Sequence, residues 1–116
     1  MIKSSKFDNQ SESEAIQEIV FSISKYDDQG AFKKLFDIYY PKLLNYAYYI
    51  LESRQDADEV VSTLFVKIWE KRDKLPEIKN LDGYLYISVK NQCYNYLRDN
   101  KEFFLKTLEI DECKFF

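Results

Sequence analysis

From Ser13 onward, apolar residues recur every third or fourth position, the spacing that gathers them on one face of an α-helix. Ile16, Ile19, Val20 and Ile23 make the first stripe, with Glu14 near its start, where the helix dipole favours an acid. This predicts a first helix over about 13–25. The polar, aperiodic stretch 1–12 before it is expected to be a flexible arm. Tyr26-Asp27-Asp28-Gln29-Gly30 supplies an Asp cap and a glycine, after which Phe32, Leu35, Phe36, Tyr39, Leu43, Tyr46, Ala47 and Ile50 align as a second, long stripe. Pro41 interrupts it without shifting its phase, so a kink is expected, with tertiary packing overriding the local penalty.

The clearest period lies in the third segment, where Ala57, Val60, Val61, Leu64, Phe65 and Ile68 share a face. Its first turn is acidic and its last basic, which suits the macrodipole and places a helix at about 55–73. Residues 74–82, with Pro76, read as a loop. Tyr84, Leu85, Ser88, Val89, Gln92, Cys93, Tyr96 and Leu97 then trace a fourth, more polar stripe, and residues 102–116 read as a tail that either extends as a short helix or frays. The expected fold is all-α, a compact bundle of four main helices.

Composition agrees with this pattern. The 116 residues are 46% hydrophobic and 17% aromatic, enough for one packed core, and two Gly and two Pro leave little turn chemistry for a β-rich fold. The net charge is −3, which argues against a domain basic over a whole face, so any nucleic-acid contact must be local. The acids concentrate at the two ends, whereas 31–51 carry three Lys against Asp37 and 83–101 carry Lys90, Arg98 and Lys101 against Asp99. Two cysteines and no histidine make neither a disulfide framework nor a common zinc site, and no cofactor is expected. The chain lacks a signal-peptide h-region and any apolar run long enough to span a bilayer, so a cytoplasmic location without membrane insertion is expected.

Three blocks stand in order: AFKKLFDIYYPKLLNYAYYIL, DADEVVSTLFVKIWEKRDKL and LDGYLYISVKNQCYNYLR. Their order and spacing resemble region two of the extracytoplasmic-function (ECF) sigma factors, which direct bacterial RNA polymerase to promoters. The resemblance covers about residues 28–101. It implies a sigma region two domain over 13–101, with 102–116 a tail or the start of a linker to a region four domain that does not follow. It further implies that the third helix docks on the clamp coiled coil of the polymerase's largest subunit. The outward residues there are Asp56, Glu59, Ser62, Thr63, Val66, Lys67 and Glu70.

The loop and fourth helix would take the non-template strand of the melted minus-ten element through Lys79, Asn80, Lys90, Asn91, Tyr94 and Arg98, with loop 74–83 as the candidate base pocket. Lys and Arg suit phosphates, Asn a base edge, and an exposed Tyr a stacked base. Tyr84, Tyr86 and Tyr96 are read as packing rather than base platforms, and Trp69 as packing at the end of the third helix. Family members usually carry Gln-Glu where Ser62-Thr63 stands, and Arg-Ile at Ile87-Ser88, so docking is expected to differ in detail and DNA electrostatics to be modest. An anti-sigma factor is a further implied partner. The competing reading is a helical protein-interaction adaptor without promoter recognition. An enzyme finds little support, because histidine and a glycine-rich phosphate loop are both missing and the Asp56, Asp58 and Glu59 cluster fits helix capping.

Overall fold

Four long helices and one short 3-10 helix build the protein, with no strand among the described residues. The computed structural model describes the backbone of residues 2–108 and the side chains of residues 13–99. Helix α1 spans Ile2–Tyr26, α2 Gln29–Leu51, α3 Arg54–Glu70 and α4 Leu81–Leu108, and a 3-10 helix over Arg72–Glu77 joins the last two. Both ends extend further than the apolar pattern indicated. The backbone of 2–12, expected as an arm, is helical, and that stretch holds neither Gly nor Pro to stop a helix. Likewise α4 runs past 101 to Leu108, and residues 109–116 of the expected tail lie outside the described residues.

Local chemistry sets the internal boundaries. Asp28 caps α2 by accepting from the Ala31 N–H at 3.0 Å, and Ser53 caps α3 by accepting from the Asp56 N–H at 3.2 Å. Asp27 (φ 53°) and Glu52 (φ 57°) take the left-handed conformation that reverses the chain after α1 and α2, positions where glycine is the commoner choice. Helix α2 runs through Pro41 without splitting. The expected loop at 74–82 begins instead as the 3-10 helix, because buried Leu75 anchors it to the core and the fixed φ of Pro76 is compatible with that geometry.

Helix α2 is the centre of the bundle and packs against α1, α3 and α4. Its buried positions, Ala31, Leu35, Tyr39, Leu43, Ala47 and Leu51, fall at a strict four-residue spacing. At 3.6 residues per turn each step drifts by roughly 40°, so the buried stripe winds about halfway round the helix and meets different neighbours along its length. All the apolar residues assigned to the inner face of α3 are buried, as are Leu85, Val89 and Cys93 of α4. An aromatic seam closes the α2–α3 interface: Phe32 and Phe36 meet Phe65 at ring distances of 6.1 and 4.9 Å, and Trp69 lies 5.1 Å from Phe32. The side chains of Phe103, Phe104, Phe115 and Phe116 lie outside the described residues.

Candidate nucleic-acid and polymerase interface

Burying one face of α3 leaves the opposite face to solvent. Glu59, Thr63, Val66, Lys67 and Glu70 are exposed, and Asp56 and Ser62 are half-buried at the edge. Val66 is 56% exposed at the centre of this strip, an apolar side chain ringed by charged and polar ones. That arrangement resembles the apolar centre and polar rim of a protein interface. The Asp56 carboxylate accepts from the Tyr96 hydroxyl at 2.7 Å, tying the first turn of α3 to α4. Ser62 sits 3.5 Å from Asp58 Oδ1, a long contact within the same helix.

The segment between α3 and α4 is a septum between two grooves. On one side, a cavity of about 840 Å³ lies among α1, α2, the 3-10 helix and the start of α4, with Lys42, Lys79 and Asn80 among its polar lining. On the other, a groove of about 320 Å³ runs between the end of α3 and α4. Leu75 and Ile78 line both. The candidate base-pocket loop therefore borders two concavities rather than enclosing one.

Residues assigned to DNA from the sequence are all exposed, yet they do not converge on one cavity. Lys79 and Asn80 border the larger one, Asn91 lines the smaller, and Lys90, Tyr94 and Arg98 form an adjacent outward stripe of α4 with Tyr94 55% exposed. Arg98 also pairs loosely with Asp99 at 3.6 Å. Asn80 does structural work as well, since its side-chain oxygen accepts from the Gly83 N–H at 3.0 Å and so caps α4. Gly83 belongs there: a Cβ at that position would stand 2.8 Å from Asn80 Nδ2.

Of the three tyrosines read as packing, Tyr86 and Tyr96 are half-buried against the core, Tyr86 lying 5.3 Å from Tyr46. Burial, with a smaller contribution from Asp82, raises the Tyr86 phenol above its usual value. Tyr84 departs from the reading: it is 45% exposed and lines the smaller groove. Cys93 is fully buried, which pushes its thiol up to about 11.

Sequence reasoning missed Lys71, Lys74 and Asn95 in that groove, although Lys67, Lys71 and Lys74 recur at helical spacing and that recurrence was the available signal. It also missed the fastening of the septum. Arg72 donates through Nε to Asp27 Oδ1 at 2.7 Å and through Nη1 to the Trp69 carbonyl at 2.7 Å, with its guanidinium 4.3 Å from the Trp69 ring centroid. One side chain thus ties the α1–α2 turn to the end of α3. Nothing local in the sequence marks a pair so distant in the chain.

The chain is thus an all-helical bundle with a solvent-facing third helix and a basic, amide-lined groove beside the fourth. The model of the family "Sigma-70 region 2" matches residues 35–103, and the chain belongs to that family, the part of sigma factors involved in minus-ten promoter recognition and RNA polymerase binding. Comparison with curated proteins and with solved structures gave no match. Among the described residues no helix is long and apolar enough to cross a membrane.

Proposed function

We propose that the chain is the region two domain of an ECF-type sigma factor. The outer face of α3, through Glu59, Thr63, Val66, Lys67 and Glu70 with Asp56 and Ser62 at its edge, docks on the clamp coiled coil of the polymerase's largest subunit. The septum and α4, through Lys79, Asn80, Lys90, Asn91, Tyr94 and Arg98, hold the non-template strand of the minus-ten element once it is unpaired. Unpairing a base costs on the order of a few kcal/mol, and stacking on an exposed tyrosine returns ~1–3 kcal/mol, so such a surface captures opened DNA more than it forces opening.

The observation that supports this reading best is that both outward surfaces lie on one packed core and neither covers the other. The test is retention of core RNA polymerase on the immobilised full chain at low salt. Glu59→Lys and Val66→Asp are expected to abolish retention without lowering thermal stability, because both side chains are exposed. No retention by the unaltered chain would remove the proposal. Retention that persists while the complex ignores single-stranded DNA would favour the interaction-adaptor reading.

A further inference from the structure

The larger cavity, about 840 Å³ among α1, α2, the 3-10 helix and the start of α4, has walls unlike those of a polar recess. Ile16 and Phe21 of α1 face Ile38 of α2, and Pro76 and Ile78 of the septum complete the apolar lining over buried Leu75. Phe21 is 52% exposed there, although it is among the largest apolar side chains of the protein. Displacing water from such a lining is favourable, and the volume falls in the range of small-molecule sites, roughly 300–1,000 Å³.

The rim adds charge. Lys42 and Lys79 border the cavity, both exposed, and neither forms an ion pair among the described residues. The Lys42 ammonium lies 5.6 Å from the centroid of the Tyr39 ring, which also lines the cavity. Among the described residues of the lining, Asp82 is the one acid. Its charge also reaches the Tyr86 phenol one turn along α4, which burial raises and Asp82 raises further. Two cations against one acid give this recess a sign opposite to that of a chain of net charge −3.

A nucleic-acid strand would match the lysines and leave the apolar walls unmatched. An extended peptide would bring a backbone donor and acceptor with each residue, and the walls offer neither. A bilayer contact needs apolar side chains that protrude, whereas these line a recess. An alkyl chain has no group that needs a polar partner, and an anionic head at its end suits the two lysines.

We propose that this cavity binds one molecule of a single-chain amphiphilic anion, a medium-chain carboxylate. Its head meets Lys42 and Lys79, and its chain lies against Ile16, Phe21, Ile38 and Ile78. The site stands apart from the promoter reading except at Lys79, which that reading gives to DNA.

The test is isothermal titration of the full chain with octanoate, nonanoate and decanoate, each below its micelle-forming concentration. Saturable one-to-one binding is expected, tightening about fourfold for each added methylene, the value of burying one CH₂. Octanoate should bind up to about fivefold tighter than octanol, the scale of one exposed charge pair, and Lys42→Gln with Lys79→Gln should erase that preference. Phe21→Asp should weaken decanoate at least tenfold without lowering thermal stability, since the side chain is exposed. Absence of saturable binding overturns the proposal, as does binding that Phe21→Asp leaves unchanged, which would place the ligand elsewhere. Octanol binding as tightly as octanoate to the unaltered chain removes the anionic head from the site and overturns the proposal as stated. Binding to phosphatidylglycerol vesicles with none to the monomeric carboxylates also overturns it and makes the face a membrane contact.

Discussion

Asn80 caps α4 and, in the proposed function, also meets DNA, and substituting it in two ways tells the two duties apart. Its side-chain oxygen accepts from the Gly83 N–H at 3.0 Å, and its carbonyl accepts from the Tyr84 N–H at 2.9 Å, so it is the N-cap of α4. Removing such a cap costs about 1 kcal/mol, within a range of roughly 0.5–2. For a domain of this size that lowers the melting temperature by about 4 °C. Asn80→Ala is therefore expected to lose both stability and DNA capture. Asn80→Asp keeps an acceptor for Gly83 and sets a negative charge at the helix N-terminus, a gain of ~0.3–1 kcal/mol. Its melting temperature should equal or exceed that of the unaltered protein. The same charge faces the expected phosphates, so DNA capture should fall at least as far as in Asn80→Ala. Thermal unfolding followed by circular dichroism reads the first duty, and titration of the polymerase complex with single-stranded DNA reads the second. If Asn80→Asp melts as low as Asn80→Ala, the capping argument is wrong; if it holds DNA normally, Asn80 is a cap and nothing more.

Three further outcomes follow from the geometry. Tyr96→Phe removes the hydroxyl that donates to Asp56 at 2.7 Å, and the chain should lose ~1.5 kcal/mol, the low end for a hydrogen bond to a charged group because the site is only partly buried; urea unfolding measures it, and an unchanged midpoint would show the bond to be idle. Arg72→Ala should cost ~1–2 kcal/mol through loss of the Trp69 contacts, with little from the exposed Asp27 pair, and Arg72→Lys should recover almost none of it, since an ammonium cannot reproduce the stacked fork. Cys93 should resist a thiol reagent in the native protein with Cys113→Ser in the background, and react only on unfolding. Its thiol is raised from 9.0 to about 11, so its contribution to stability is complete below pH 9 and is lost as pH rises toward 11. Comparing urea midpoints with those of Cys93→Ala across that window isolates the effect, and parallel curves would refute it.

The parts of the fold that sequence made legible are those fixed by burial. The inner face of α3 follows from its period alone, and so does most of the α2 stripe, because each apolar position there answers to one neighbour-rich core. Legibility failed at ends and at long range. Nothing in 1–12 or beyond 101 is strongly apolar-periodic, yet the backbone continues as helix where no residue stops it. The 3-10 helix at 72–77 depends on Leu75 reaching the core, a tertiary fact. For the site, exposure of the assigned residues other than the half-buried Asp56 and Ser62 followed from their being off the apolar stripes. Their distribution over two grooves did not, since that depends on how the septum is pinned by Arg72 to a turn far away in the chain. The structural contacts of Asp56 and Asn80 were hidden for the same reason: a polar side chain at a helix start reads identically whether it faces a partner or its own fold.

The sign of the charge is the last constraint to reconcile. A domain with net charge −3 repels DNA at a distance, whereas its lysine groove attracts phosphate only within about 10 Å, the screening length at moderate salt. The two effects differ in range, so neither cancels the other. On the proposed reading, docking of α3 on polymerase makes association with promoter DNA intramolecular, and tethering raises the effective concentration to the millimolar range with no new contact. In that proposed complex the short-range attraction decides the outcome, because it acts on a strand that is already unpaired. If α3 docks and α4 captures the strand as proposed, an acidic surface with a narrow basic seam makes DNA capture conditional on docking, which a uniformly basic domain would not do.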